Sequence, residues 1–308
     1  MNKIRNIAIL FLIFFCFFAM PVFASSEKIN SIDYNIVVTK DSKLEVTEVW
    51  NISLGRSNHK VIKSFMHGKI VSNVFIKEYN KDSSVKIEYE EVFEENSDPY
   101  KFYIKDNVLN INLDSSNNDK VYLSIEYVVE DAVNVYLDCA EFDFELQDKY
   151  FEYNSDEITG KISFEENVAS LANFYTWIHS SSLSSVTKVD DYSSINFFID
   201  GNSRYNKIDI KSVFPTNMIN VDLDKVTNGN RLKFIFEEEI LNNEKQAKES
   251  EKEFIINVII LVIGILAIII VIVLIIVLIV KKKKEKNKDN NIDKNLDKED
   301  KKEKDKIK

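Results

Sequence analysis

IDYNIVVTKDSKLEVTEVWNI, residues 32–52, sets the fold class of this chain. Ile32, Tyr34, Ile36 and Val38 alternate with Asp33, Asn35, Val37 and Thr39. After a polar break at 40–42, Leu44, Val46, Trp50 and Ile52 share a face that Glu48 interrupts. A period of two, carried by β-branched and aromatic residues, is the signature of half-buried antiparallel strands.

The same period recurs as far as residue 240. Val85, Ile87 and Tyr89 carry it, then Leu109, Ile111 and Leu113, and then Val121, Leu123, Ile125, Tyr127 and Val129. Later it returns in Ile162 and Phe164, in Ile195, Phe197 and Ile199, in Ile208 and Ile210, and in Leu232, Phe234 and Phe236. Short polar clusters separate these runs and no long amphipathic helix intervenes, so an all-β region of tandem antiparallel sandwiches is expected. Its length suits two domains, 25–147 and 148–240, divided near Gln147. From 241 to 254, charge, Asn and helix formers replace the alternation, as in a helical stalk or a tether.

Both ends concern a membrane. Residues 258–280 are uncharged and apolar, with Gly264 the one glycine, and Lys281, Lys282, Lys283 and Lys284 follow. A transmembrane helix over 255–280 is expected, with the lysines on the cytoplasmic side and the acids Glu249, Glu251 and Glu253 outside. Lys3 and Arg5, an apolar run over 7–20, Pro21 and Ala24 read as a signal peptide over 1–24, cleaved after Ala24. Cys16 lies in the middle of that apolar run and is a poor lipoprotein cysteine. The tail, 281–308, is basic and lacks aromatic residues, so it is expected to stay disordered and cytoplasmic. The chain carries −10 overall; setting aside +2 at the N-terminus and +5 in the tail leaves −17 for the exported part. Such a surface disfavours nucleic acid and favours cations or basic partners.

Chemistry is sparse. With Cys16 removed, only Cys139 remains, so no intramolecular disulfide can form, which is the cysteine usage of a bacterial rather than a eukaryotic exported domain. His59 and His67 flank a short apolar strand without a second ligand pair, and no metal, cofactor or catalytic site is expected. Asp222, Asp224, Asn228 and Gly229 fail the EF-hand pattern, with Thr227 at its sixth place and Lys233 at its twelfth. Asp190, Asp191 and Asp98 read as turn aspartates. Asp138, Glu141, Asp143 and Glu145 crowd one strand; the last three read as a solvent-facing row rather than a glycosidase pair. Cys139 reads as a small buried residue. Trp177 and His179 share one face of a strand; such a pair is more often edge packing than an aromatic binding notch, and it is the candidate surface contact.

Several stretches resemble the extracellular part of the domain-of-unknown-function 2207 family of bacterial membrane proteins. They are Ile32 to Ile36 with Asp41 to Glu48, then Tyr127 to Val129, Ala132 to Tyr136 with Asp138, and Ala140 to Phe142. Trp177-Ile178-His179 resembles the family's Trp-x-His element, and Ile208 to Pro215 its closing strand ending in Phe-Pro. The departures are Ser180 where Gly is usual, Lys211 where Arg is usual, and a single span with a short tail in place of a large C-terminal portion. The resemblance implies a cell-envelope location and a β-rich ectodomain, and supplies no reaction. The expected protein is a single-pass cell-surface protein whose ectodomain binds or scaffolds an unidentified envelope protein or polymer, rather than an enzyme. The alternative is an envelope enzyme acting on glycan or peptide.

Overall fold

A computed structural model describes residues 28–54, 60–65, 68–80, 84–114, 120–165, 173–180, 185–190, 194–202 and 204–304. In chain order the strands are β1 (Lys28–Val38), β2 (Leu44–Ser53), β3 (Lys60–Ser64), β4 (Val71–Tyr79), β5 (Val85–Glu88) and β6 (Glu90–Glu91). Next come β7 (Lys101–Lys105), β8 (Val108–Asn112), β9 (Lys120–Val129), β10 (Asn134–Val135) and β11 (Ala140–Gln147). The last are β12 (Ser155–Phe164), β13 (Tyr175–Ser180), β14 (Ser185–Asp190), β15 (Ser194–Asn202) and β16 (Ile208–Phe214), followed by helix α1 (Leu232–Lys304).

Among the described residues the strands form three sheets. The main one has eight strands in the order β14-β15-β12-β1-β2-β9-β4-β5. The second runs β10-β11-β16-β13 and the third β3-β8-β7-β6. Hairpin β1–β2 pairs Ile36 with Val46 and Ile32 with Trp50, so the alternation of 32–52 faces one core. That core is continuous. Ile32, Trp50 and Ile125 of the main sheet, Phe142, Phe144 and Ile210 of the second, and Phe102, Leu109 and Ile111 of the third belong to one buried cluster.

Two sequence expectations need correction. The seam placed at Gln147 is not a break: β1 and β12, from its two sides, pair in parallel from Ile29↔Ser155 to Val38↔Phe164, and β11 pairs with β16. All the strands belong to one compact unit that ends at Ile235, where α1 has begun; the second unit runs from Phe236. A period of two reads the same in parallel and antiparallel partners, so it cannot tell one large sheet from two sandwiches. The other correction concerns Leu232, Phe234 and Phe236, which lie in α1 and not in a strand. Buried Ile235 and part-buried Leu232, three residues apart, are the positions that pack. The 241–254 segment is likewise helical.

In the middle of the main sheet Gly160 stands between Tyr34 on β1 and Phe197 on β15. A Cβ there would lie 2.2 Å from the Phe197 ring and 2.8 Å from Tyr34 Cβ. Glycine is what lets two large side chains meet across a central strand.

Candidate functional site

The second sheet has two unlike faces. Ala140, Phe142, Phe144 and Leu146 of β11 and Ile208, Ile210 and Phe214 of β16 are buried in the core. The alternate positions form three ranks on the opposite face: Tyr175–Val213–Glu141, Trp177–Lys211–Asp143 and His179–Asp209–Glu145. The pair read from the sequence, Trp177 and His179, therefore stands on β13, the terminal strand of this sheet, beside charged neighbours. Tyr175 and Trp177 stack at 6.1 Å. Lys211 Nζ lies 3.7 Å from Asp143, and Lys207 Nζ lies 2.9 Å from Asp209 and 3.2 Å from Glu145. Aromatic residues such as Tyr175 and Trp177 are enriched at protein contact surfaces, and charged residues such as Lys211 and Asp209 belong to their rims.

One end of this face is closed. Cys139, Val213 and Ile235 are buried together, with Tyr136, Tyr175, Trp177 and Leu232 packed against them. The Asp138 carboxylate accepts the backbone N–H groups of Arg231 at 2.8 Å and Leu232 at 3.2 Å, so it holds the start of α1. Burial pushes the Asp138 carboxyl up, but these two N–H bonds hold it below the usual range. Glu141 departs from the expected solvent row: it is 4% exposed, accepts the Tyr136 hydroxyl at 2.9 Å and has Arg231 Nε at 3.6 Å. Asp143 and Glu145 keep the outward face. Burial, and then the Asp138 charge, push the Cys139 thiol up to about 12, so it stays a protonated, packed thiol at neutral pH.

A second polar cluster lies inside the core. Glu48, the interruption in β2, has no exposed surface. Its carboxylate accepts Trp50 Nε1–H at 2.9 Å and the Tyr127 hydroxyl at 2.5 Å, and Lys63 Nζ of β3 lies at 2.9 Å. Tyr34 is close enough for Glu48 to add to the effect of burial, and together they raise its hydroxyl well above the ordinary 10.0. Every partner is itself buried, so the cluster rivets the main sheet to the third sheet and is closed to a substrate. The sequence signal was a carboxylate on an otherwise apolar face.

His59, His67, Asp191, Cys16 and the expected signal peptide lie outside the described residues. Among the described residues no group of three or more His, Cys, Asp or Glu is placed to hold a metal. Asp222 precedes and Asp224 lies within a short turn of 3-10 helix, Leu223–Lys225, and both are exposed.

The family described as "Predicted membrane protein (DUF2207) N-terminal domain" matches residues 28–214. The chain belongs to this family. The match covers β1 to β16, and α1 supplies the membrane element: Phe254–Lys281 is 28 residues long and holds an 18-residue stretch with a mean hydropathy of 3.9. At about 1.5 Å per residue it is long enough for a ~30 Å hydrocarbon core. No curated protein matches this DUF2207 chain. Among solved structures it is similar to an M1 zinc metallopeptidase from Deinococcus radiodurans, at 9% identity and a TM-score of 0.35, over 60% of this chain and 42% of that one. It is also similar to yeast LTA4 hydrolase, at 15% identity and a TM-score of 0.37, over 61% of this chain and 29% of that one. The DUF2207 chain thus spans less than half the length of either, and likenesses this slight carry no activity to it.

Proposed function

We propose that this membrane protein displays its β body outside the cell membrane, after removal of a signal peptide, and there binds or scaffolds an envelope protein or polymer. The carrying observation is the rank Trp177–Lys211–Asp143 with its neighbour His179–Asp209–Glu145, on a face whose other side is sealed into the core. Four lysines after the apolar span and acids before it support an outside body with the tail inside. A single span holds such a body beside its partners and raises their effective concentration, so modest contacts suffice. The charge of −17 directs the surface toward basic groups and away from nucleic acid. Neither a cofactor nor a metal enters this reading.

The test immobilises the full chain in detergent by its C-terminus and passes envelope extract over it. Specific retention should fall as salt rises, and Trp177→Ala should reduce it about tenfold or more, the scale of an aromatic anchor. Equal retention by the native protein and Trp177→Ala refutes this face as the contact. Release of wall glycan or peptide fragments, lost on changing one carboxylate, puts the enzyme alternative in its place.

A further inference from the structure

A groove of about 510 Å³ opens at the β5 edge of the main sheet, where β4 and β5 meet β6 and β7; Trp177 belongs to the second sheet and does not line it. Its size is that of a small-ligand or side-chain pocket. Buried Ile76, Tyr89 and Phe102 line it, together with Phe75, which is 57% exposed. Phe75 reaches this position through a bulge: the β4–β9 register shifts between Ser72 and Phe75, and Asn73 takes φ 53°. A non-glycine residue in the left-handed region inside a strand is strained, and bulges of this kind re-aim the side chain that follows. Phe93, two residues beyond Glu91, is a second aromatic in the open, at 97% exposure.

The polar lining of the groove is acidic. Among the described residues of the lining, Lys77, 3.1 Å from Glu126 and paired across the strands with Glu88, is the one cation against Glu126, Glu88 and Glu91, so the lining is net negative; Glu88 and Glu91 are both exposed. Both carboxylates come from sheet ends: among the described residues β5 terminates the main sheet and β6 the third. Such terminal strands can accept an added strand, and the pockets beside them then select side chains.

We propose that this groove binds an extended basic peptide segment of a partner protein. A lysine or arginine stem lies on Phe75 and the apolar floor, and its charge meets Glu88 and Glu91. The inference rests on the reading of the β body as a binding module, but not on the Trp177 face.

The test adds a fluorescein-labelled peptide of alternating Lys and Thr to the purified full chain in neutral nanodiscs and follows fluorescence polarisation. A matched Glu and Thr peptide serves as control. The lysine peptide should bind, the glutamate peptide should not, and higher salt should weaken binding. Phe75→Ala and the double variant Glu88→Gln/Glu91→Gln should each raise Kd about tenfold; all three positions are exposed, so the fold is kept. No binding to the native protein, equal binding of both peptides, or unchanged Kd in both variants overturns the proposal. Retention of envelope extract that survives these groove variants but is lost in Trp177→Ala shows the groove proposal failing while the binding reading stands.

Discussion

Lys63→Met is expected to destabilise the β body by about 3–5 kcal/mol, because it leaves the Glu48 carboxylate charged and fully buried with its cationic partner gone. That is a large part of the ~5–15 kcal/mol that holds a domain folded. Glu48→Ala should have a similar effect: it strands Lys63 Nζ, Trp50 Nε1–H and the Tyr127 hydroxyl without an acceptor. Urea unfolding of the full chain, followed by fluorescence, measures this. With excitation selective for tryptophan, the signal comes from Trp50 and Trp177, and Trp50 is bonded to the cluster. An unchanged midpoint in both variants contradicts the rivet. The same cluster fixes an alkaline limit. Burial, and then Glu48, hold the Tyr34 and Tyr127 hydroxyls far above 10.0 in the folded state. Unfolded tyrosines ionise from about pH 10, so the stability these groups give is complete below that value and is lost as pH climbs past it.

Gly160→Ala should destabilise the sheet by about 1–3 kcal/mol, and Gly160→Val by more. Strand propensity alone predicts the opposite sign, since a central glycine weakens a strand. Contact geometry decides the matter. The added methyl would meet the Phe197 ring at 2.2 and 2.6 Å, and Tyr34 Cβ at 2.8 Å. Tyr34 cannot swing aside cheaply, because its hydroxyl donates to the Leu146 carbonyl at 2.8 Å inside the core. Phe197→Leu should recover part of the loss in the Gly160→Ala background while lowering the stability of the native protein, a non-additivity that marks direct contact. A thermal melt of Gly160→Ala at or above that of the native protein refutes this packing.

The first hairpin was legible in the sequence because its pairing runs without a bulge from Ser31↔Asn51 to Val38↔Leu44, which keeps the alternation unbroken. β4 was not, and the cause is local: the bulge at Asn73 breaks the period that would have announced the strand. Glu48 showed as an interruption, but Lys63 is fifteen residues away in the chain, and only the folded register brings the two together. Leu232, Phe234 and Phe236 fit a strand by spacing alone; the cap that starts a helix there comes from Asp138, 93 residues upstream of Arg231. Trp177 and His179 could be placed on one strand face, whereas Lys211 and Asp209 became their neighbours only through the β13–β16 pairing. Glu141 shares its face with Asp143, yet its partners lie outside β11: Tyr136 just before the strand and Arg231 far along the chain, beside the start of α1.

Everything proposed for the β body requires it to stand outside the membrane. The direct measurement is protease treatment of intact cells that carry the full chain with a C-terminal tag. The β body, residues 28–235, should be digested, leaving a membrane-embedded fragment that contains 254–281 and a protected tag. A tag cleaved on intact cells, or a β body that becomes accessible only after the membrane is opened, would contradict the outside placement and every contact assigned to its surface.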